Sequence, residues 1–180
     1  LLAPHCVGIN FGGGVIARER AIFTMVKLQG NPVVNWLLNR ARTRFKSFLL
    51  SRTQGLRPVI RGLKQGIVFH YSPDEDFGDR QSVFVPFFGV PTATLTTLGR
   101  LAHLTNALVV PCFTRLLPGG RGYEVILKPP LEDFPNGDRV RDAARMNAVI
   151  EEGLRSMPEQ YLWTFKLFKT RPGHAPPPYG

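Results

Sequence analysis

The apolar residues fall into short runs cut by glycine and proline. The clearest run is Ile67, Val68, Phe69 and Tyr71, bounded by Gly66 and Pro73. A run of that length between turn residues predicts a buried strand. Directly after it, Pro73 and Gly78 bracket Asp74, Glu75 and Asp76, which places an acidic turn at the carboxyl end of a central strand. In open α/β sheets that is where ligands bind. Residues 83–88 form a second run with Pro86 inside it, and proline cannot donate to a sheet ladder, so this run predicts an edge strand or a wall over a site.

The same pattern predicts a buried strand over 1–4 that delivers His5, and further strands over 21–28, 107–113 and 123–128. Pro118-Gly119-Gly120 marks a hairpin turn between the last two. Gly12, Gly13 and Gly14 form a turn before a helix-compatible stretch at 15–20. Asn31-Pro32 opens a helix with a capping residue and a proline in the first turn, and Val33, Val34, Leu37 and Leu38 form its apolar stripe. Other helices are predicted over 56–64, 92–104 and 138–157, the last amphipathic through Val140, Ala144, Met146, Val149, Ile150 and Leu154. Alternating strands and helices imply one α/β domain with a mixed, mostly parallel sheet flanked by helices. It spans 1–165, and a basic, proline-rich tail, 166–180, lies on the surface without regular structure.

Composition adds charge to this outline. The 180 residues are 43% hydrophobic, enough for one ordinary core. Lys and Arg number 23 against 13 acids, a net charge of +10, which points to a polyanionic partner: phosphate groups, a membrane surface or nucleic acid. Residues 20–73 contain ten cations and no acid, so this segment equals the whole net charge. Two cysteines, Cys6 and Cys112, are too few for a disulfide framework and suit a reducing compartment. No apolar run reaches the roughly 18 residues of a membrane span. The opening LLAPH reads as a core strand entered halfway, so an upstream segment is expected.

His5, after a strand and before glycines, is placed to act as a general base, because an imidazole changes charge near neutral pH. The competing role is a hydrogen-bonded structural histidine. Cys6 beside it reads as packing rather than as a nucleophile. Arg40, Arg42 and Arg44 can grip phosphates with bidentate forks, or form a solvated basic face. The acidic triplet 74–76 could hold a divalent cation, but with no further ligands at recognisable spacing a capped, hydrogen-bonded turn is favoured. Nucleic acid is disfavoured, since only Phe45 and Phe48 lie among the cations as stacking platforms, and they suit the core or a lipid better.

Taken together, APHCVGINFGG, GNPVVNWLLNRARTRF, YSPDEDFGDRQSVFVPFFG, PEQYLWTFKLFKTRP and the closing proline-rich tail resemble the late acyltransferases of lipid A biosynthesis. These lauroyl- and myristoyl-transferase relatives belong to the lysophospholipid acyltransferase superfamily. The resemblance covers His5 to Tyr179. It implies an acyltransferase-like α/β domain at the cytoplasmic face of a Gram-negative inner membrane, acyl carrier protein as donor and a phosphorylated, Kdo-bearing glycolipid as acceptor. It also implies a membrane surface as partner, no metal or redox cofactor, no nucleic acid, and an anchor ahead of the His motif. His5 matches the base of the family's His-x-x-x-x-Asp/Glu motif. Arg42 and Arg44 match an arginine block implicated in holding phosphate or polarising the reacting groups, and Asp74 and Asp76 match a block that shapes the site.

One departure stands out. Where the motif has Asp or Glu, this chain has Asn10, and Asn35 replaces an acid often seen in the helix block. Asn can hold a hydrogen bond but supplies no charge to an imidazolium. In the His–Asp pair of serine proteases the Asp→Asn change costs roughly 10⁴ in turnover. On that analogy the chain is a weakened or inactive member, unless Asp74 or Asp76 supplies the carboxylate. The alternatives are a phospholipid acyltransferase and a non-catalytic anionic-lipid-binding domain.

Overall fold

The computed structural model describes residues 1–179. Strand β1 (Ile22–Val26) lies between β2 (Ser47–Ser51) and β3 (Val68–Phe69), parallel to both. Beyond β3 the sheet continues through residues 1–3, because Leu2 bridges Tyr71 on one side and Pro111 on the other, again in parallel. The backbone carries this through: Ala3 N–H donates to Tyr71 O at 2.9 Å, and Cys112 N–H to Leu2 O at 2.8 Å. Leu2 is fully buried, as a strand position paired on both sides requires.

After β3 come β4 (Ser82–Phe87) and β5 (Val90–Leu95), which pair with each other as a separate antiparallel hairpin. The last two strands, β6 (Cys112–Leu116) and β7 (Tyr123–Leu127), form the antiparallel edge next to residues 1–3. The sheet is therefore mixed and mostly parallel, as the alternating pattern implies. Strand β2 has no counterpart among the predicted elements: SFLLS is short and flanked by cations, and its Phe48 is exposed.

The stretch 92–104, predicted as a helix, is instead divided between β5 and α4 (Thr97–Thr105). The hairpin is specified locally. Phe88 and Gly89 both take positive φ, 47° and 76°, as a two-residue type I′ turn requires. Pro86 sits opposite Pro91, so each missing N–H falls where its partner also lacks one. Asn147 then ties the hairpin to the long helix α5 (Arg139–Leu154): its side-chain amide donates to Pro86 O at 3.0 Å and to Thr94 Oγ1 at 2.9 Å.

The glycine triplet is not a turn. Gly12–Gly14 lie inside helix α1 (Ile9–Glu19), and a Cβ on Gly12 would collide with the Thr114 side chain of β6. Close packing of α1 on β6 outweighs the weak helix propensity of glycine. Helix α2 (Pro32–Arg42) begins as the cap predicts, with Asn31 Oδ1 accepting from Val33 N at 2.9 Å and Val34 N at 3.2 Å. Its predicted apolar stripe does not meet the core, for no residue of α2 is buried. Helix α3 (Arg57–Lys64) follows, and Asp138 caps α5 through Val140 N and Arg141 N.

The main core gathers Leu2, Phe87, Phe113, Met146, Ile150 and Leu154; a second cluster holds Phe23, Val59, Phe69 and Leu101, and Tyr71 packs against both. The tail is tied down at its start. Leu167 is buried, and Thr170 donates to Asp76 from its N–H at 2.7 Å and its hydroxyl at 2.8 Å. A single helical turn follows at Pro172–His174. No helix among the described residues is long and apolar enough to cross a membrane.

Candidate active site

Two neighbouring parallel segments end at the same edge of the sheet. One, residues 1–3, leads into His5; the other, β3 and Tyr71, leads into the acidic loop 74–76. That shared edge brings His5 and Asp74 together across 69 positions of sequence. Asp74 Oδ1 lies 2.9 Å from His5 Nδ1, and Asp74 Oδ2 accepts the His5 backbone N–H at 2.7 Å. An ionised carboxylate can only accept, so Nδ1 carries the proton and Nε2 is left as the free acceptor. The ring is further held by Phe165, with centroids 4.6 Å apart.

Glu75 takes the other side of the ring. Its Oε1 is 3.5 Å from His5 Nε2, close enough for charge to act but long for a hydrogen bond. It is held there by Arg52 through two contacts, 2.6 and 3.0 Å. Burial alone would depress the His5 pKa. The hydrogen bond to Asp74 and the charges of Asp74 and Glu75 outweigh it and hold His5 above its ordinary value of 6.5.

Among the described residues Asn10 makes no hydrogen bond to this pair. Its Oδ1 accepts from Arg42 Nε at 3.0 Å, joining the first turn of α1 to the end of α2. The position that the motif reserves for a carboxylate therefore addresses the arginine, and the carboxylate on the imidazole is Asp74. Arg42 is half-buried, and desolvation lowers its pKa. Arg44 is exposed outside the cavity and stacks on Phe45 at 5.6 Å, so the two arginines of one sequence block separate in space.

The acidic triplet does not act as one ligand set. Asp74 goes to His5, Glu75 to Arg52, and Asp76 to Thr170 and the Gly78 N–H. Cys6 is fully buried and its thiol is pushed up to about 12, chiefly by burial, which removes it as a nucleophile at neutral pH. Pattern reading missed the contributions of Arg52, Phe165 and Thr170. It also missed His70, which is buried and held neutral, with its pKa near 4, chiefly by desolvation.

These groups border a cavity of about 1070 Å³ that His5, Asn10, Arg42 and Glu75 share. It continues along the carboxyl end of β1, past Thr24, Met25 and Val26, to Lys27 and Gln29. The cavity thus joins a histidine, an arginine and the apolar side chains of Met25 and Val26.

The family model for bacterial lipid A biosynthesis acyltransferases matches residues 1–170. The chain belongs to this family. It is 37% identical to the lipid A biosynthesis lauroyltransferase of Escherichia coli over 180 residues, 99% of this chain and 58% of that protein. The E. coli lipid A biosynthesis myristoyltransferase is 36% identical over 98% of the chain and 55% of its own length. A lipid A biosynthesis acyltransferase of Haemophilus influenzae is 36% identical over 95% and 54%. The chain thus spans rather more than half the length of these relatives.

Proposed function

We propose that this chain transfers a fatty acyl group from acyl carrier protein to a hydroxyl of an acyl chain on a Kdo-bearing lipid A precursor, at the cytoplasmic face of the inner membrane. Family membership supports the reaction class, and the His5–Asp74 contact at 2.9 Å carries the assignment of the base. His5 Nε2 takes the proton of the acceptor hydroxyl as its oxygen attacks the thioester carbonyl. The C–O bond forms, the C–S bond breaks, and the departing thiolate recovers the proton from the imidazolium. Asp74 holds the ring in the productive tautomer and stabilises the imidazolium. Arg42 lies where a guanidinium can meet a substrate phosphate or the negative charge that develops on the carbonyl oxygen. Asp76 shapes the site by fixing the tail through Thr170. With a carboxylate on His5, Asn10 is no reason to expect an inactive enzyme.

The reading is tested by incubating the chain with a long-chain acyl group on acyl carrier protein and the Kdo-bearing precursor, with product followed by mass. Gain of one acyl chain is expected. Acylation of a lysophospholipid with none of the precursor would move the acceptor to the phospholipid class.

A pH profile probes Glu75. Transfer needs neutral His5, so activity falls as pH drops through a pKa that stands above 6.5. Removing the Glu75 charge removes one cause of that elevation. Glu75→Gln is therefore expected to move the acidic limb of kcat/KM to lower pH. A limb that stays in place would detach Glu75 from the base.

A further inference from the structure

Helix α2 faces the wrong way for a helix that stabilises a core. At about 100° per residue, Val33, Trp36, Leu37 and Arg40 fall within one arc of about 100°. Val33, Trp36 and Leu37 are 63%, 57% and 53% exposed. The opposite arc, Asn35, Leu38, Asn39 and Arg42, is half-buried against the protein. Three of its four residues are polar, and two are engaged: Asn35 Oδ1 accepts from Gln29 N at 3.1 Å, and Arg42 donates to Asn10. In water this arrangement leaves apolar surface unpaid for by any packing.

Cations rim the apolar arc and lie on the aromatics in it and just beyond it. Arg40 sits over Trp36 at 5.6 Å, and both Arg18 and Arg44 over Phe45, at 5.9 and 5.6 Å. Leu28, just before the helix, and Phe45, just after it, are exposed as well. Aromatic and cationic side chains around an apolar helix face are what the headgroup layer of a membrane accommodates. A second copy of the chain is a poor occupant, because it would set one acid-free segment of ten cations against another.

We propose that α2 lies in the headgroup layer of an anionic phospholipid bilayer, with Val33, Trp36 and Leu37 inserted and Arg40 and Arg44 on lipid phosphates. Lys27, Gln29 and Arg42, which flank or end this helix, also line the cavity. Docking therefore places the cavity beside the bilayer, on the protein side of the inserted helix, where a lipid acceptor can enter past Lys27 and Arg42. The proposal deepens the acyl-transfer reading by naming the surface that presents the acceptor.

The test is co-sedimentation of the chain with vesicles of mixed phosphatidylglycerol and phosphatidylcholine, and with phosphatidylcholine alone. Emission of Trp36 is followed in a Trp163→Phe background. The chain is expected to bind the anionic vesicles, more weakly as salt rises, with a blue shift of Trp36. Val33→Asn with Leu37→Asn should weaken binding about 100-fold or more, and Arg40→Gln with Arg44→Gln about 30-fold at low salt, with circular dichroism unchanged. Binding that ignores both pairs, or no binding of the parent chain, overturns the proposal. So does a lipid-free dimer that shields Trp36. Binding is read without turnover, so His5→Ala should bind like the parent. A failed docking surface would leave transfer to a detergent-dispersed acceptor intact in the Val33/Leu37 variant.

Discussion

Asp74→Asn is expected to lower acyl transfer by roughly 10⁴, the loss known for the same change in a His–Asp pair of serine proteases, with little change in melting temperature. The Asp74 side chain is 2% exposed and makes both contacts to His5, one to the ring and one to the backbone. An Asn keeps the volume but can turn its amide N–H₂ toward Nδ1. The imidazole would then carry its proton on Nε2, where it cannot accept one from the acceptor hydroxyl. Single-turnover transfer, with a thermal melt on the same sample, separates this loss from unfolding. A variant within tenfold of the parent would remove Asp74 from the mechanism.

Arg42→Ala is expected to lower kcat by about 10² to 10³, as loss of one preorganised donor to a developing oxyanion does. Arg44→Ala should change it little, because Arg44 is stacked on Phe45 outside the cavity. The contrast is informative because the two arginines are two positions apart in a single block of sequence. Rates at saturating acceptor check it, and equal losses at both positions would contradict the division of roles. Arg42→Lys should restore little, since an ammonium has no Nε to hold Asn10 while its end group meets a substrate.

Much of the frame was legible from local chemistry. The run at 67–71, the Asn31 cap, the edge character given by Pro86 and the Asp138-capped helix all rest on short-range rules that tertiary contacts did not override. The fates of Asp74, Glu75 and Asp76 were not legible, because adjacent carboxylates look alike until the sheet brings 1–3 beside Tyr71. Folding then sends each to a different partner. The helix through the glycine triplet is decided by the close approach to Thr114, and the strand in 92–104 by the hairpin turn at Phe88-Gly89, neither of which a local pattern shows. In α2 the expected stripe of Val33, Val34, Leu37 and Leu38 divides: Val33 and Leu37 face outward with Trp36, while Leu38 turns toward the protein, because an apolar stripe says that something apolar must cover it and does not say that the core will.

His5 as the base depends on which residue supplies its carboxylate. The most direct measurement is transfer by the unaltered chain beside Asn10→Glu, with the same donor and acceptor. Since Asp74 already holds the ring and Asn10 serves Arg42, the unaltered chain is predicted to turn over within about tenfold of the variant, far inside the 10⁴ that a missing partner would cost. A chain that stays silent until the glutamate is installed would contradict the account and return the role to position 10.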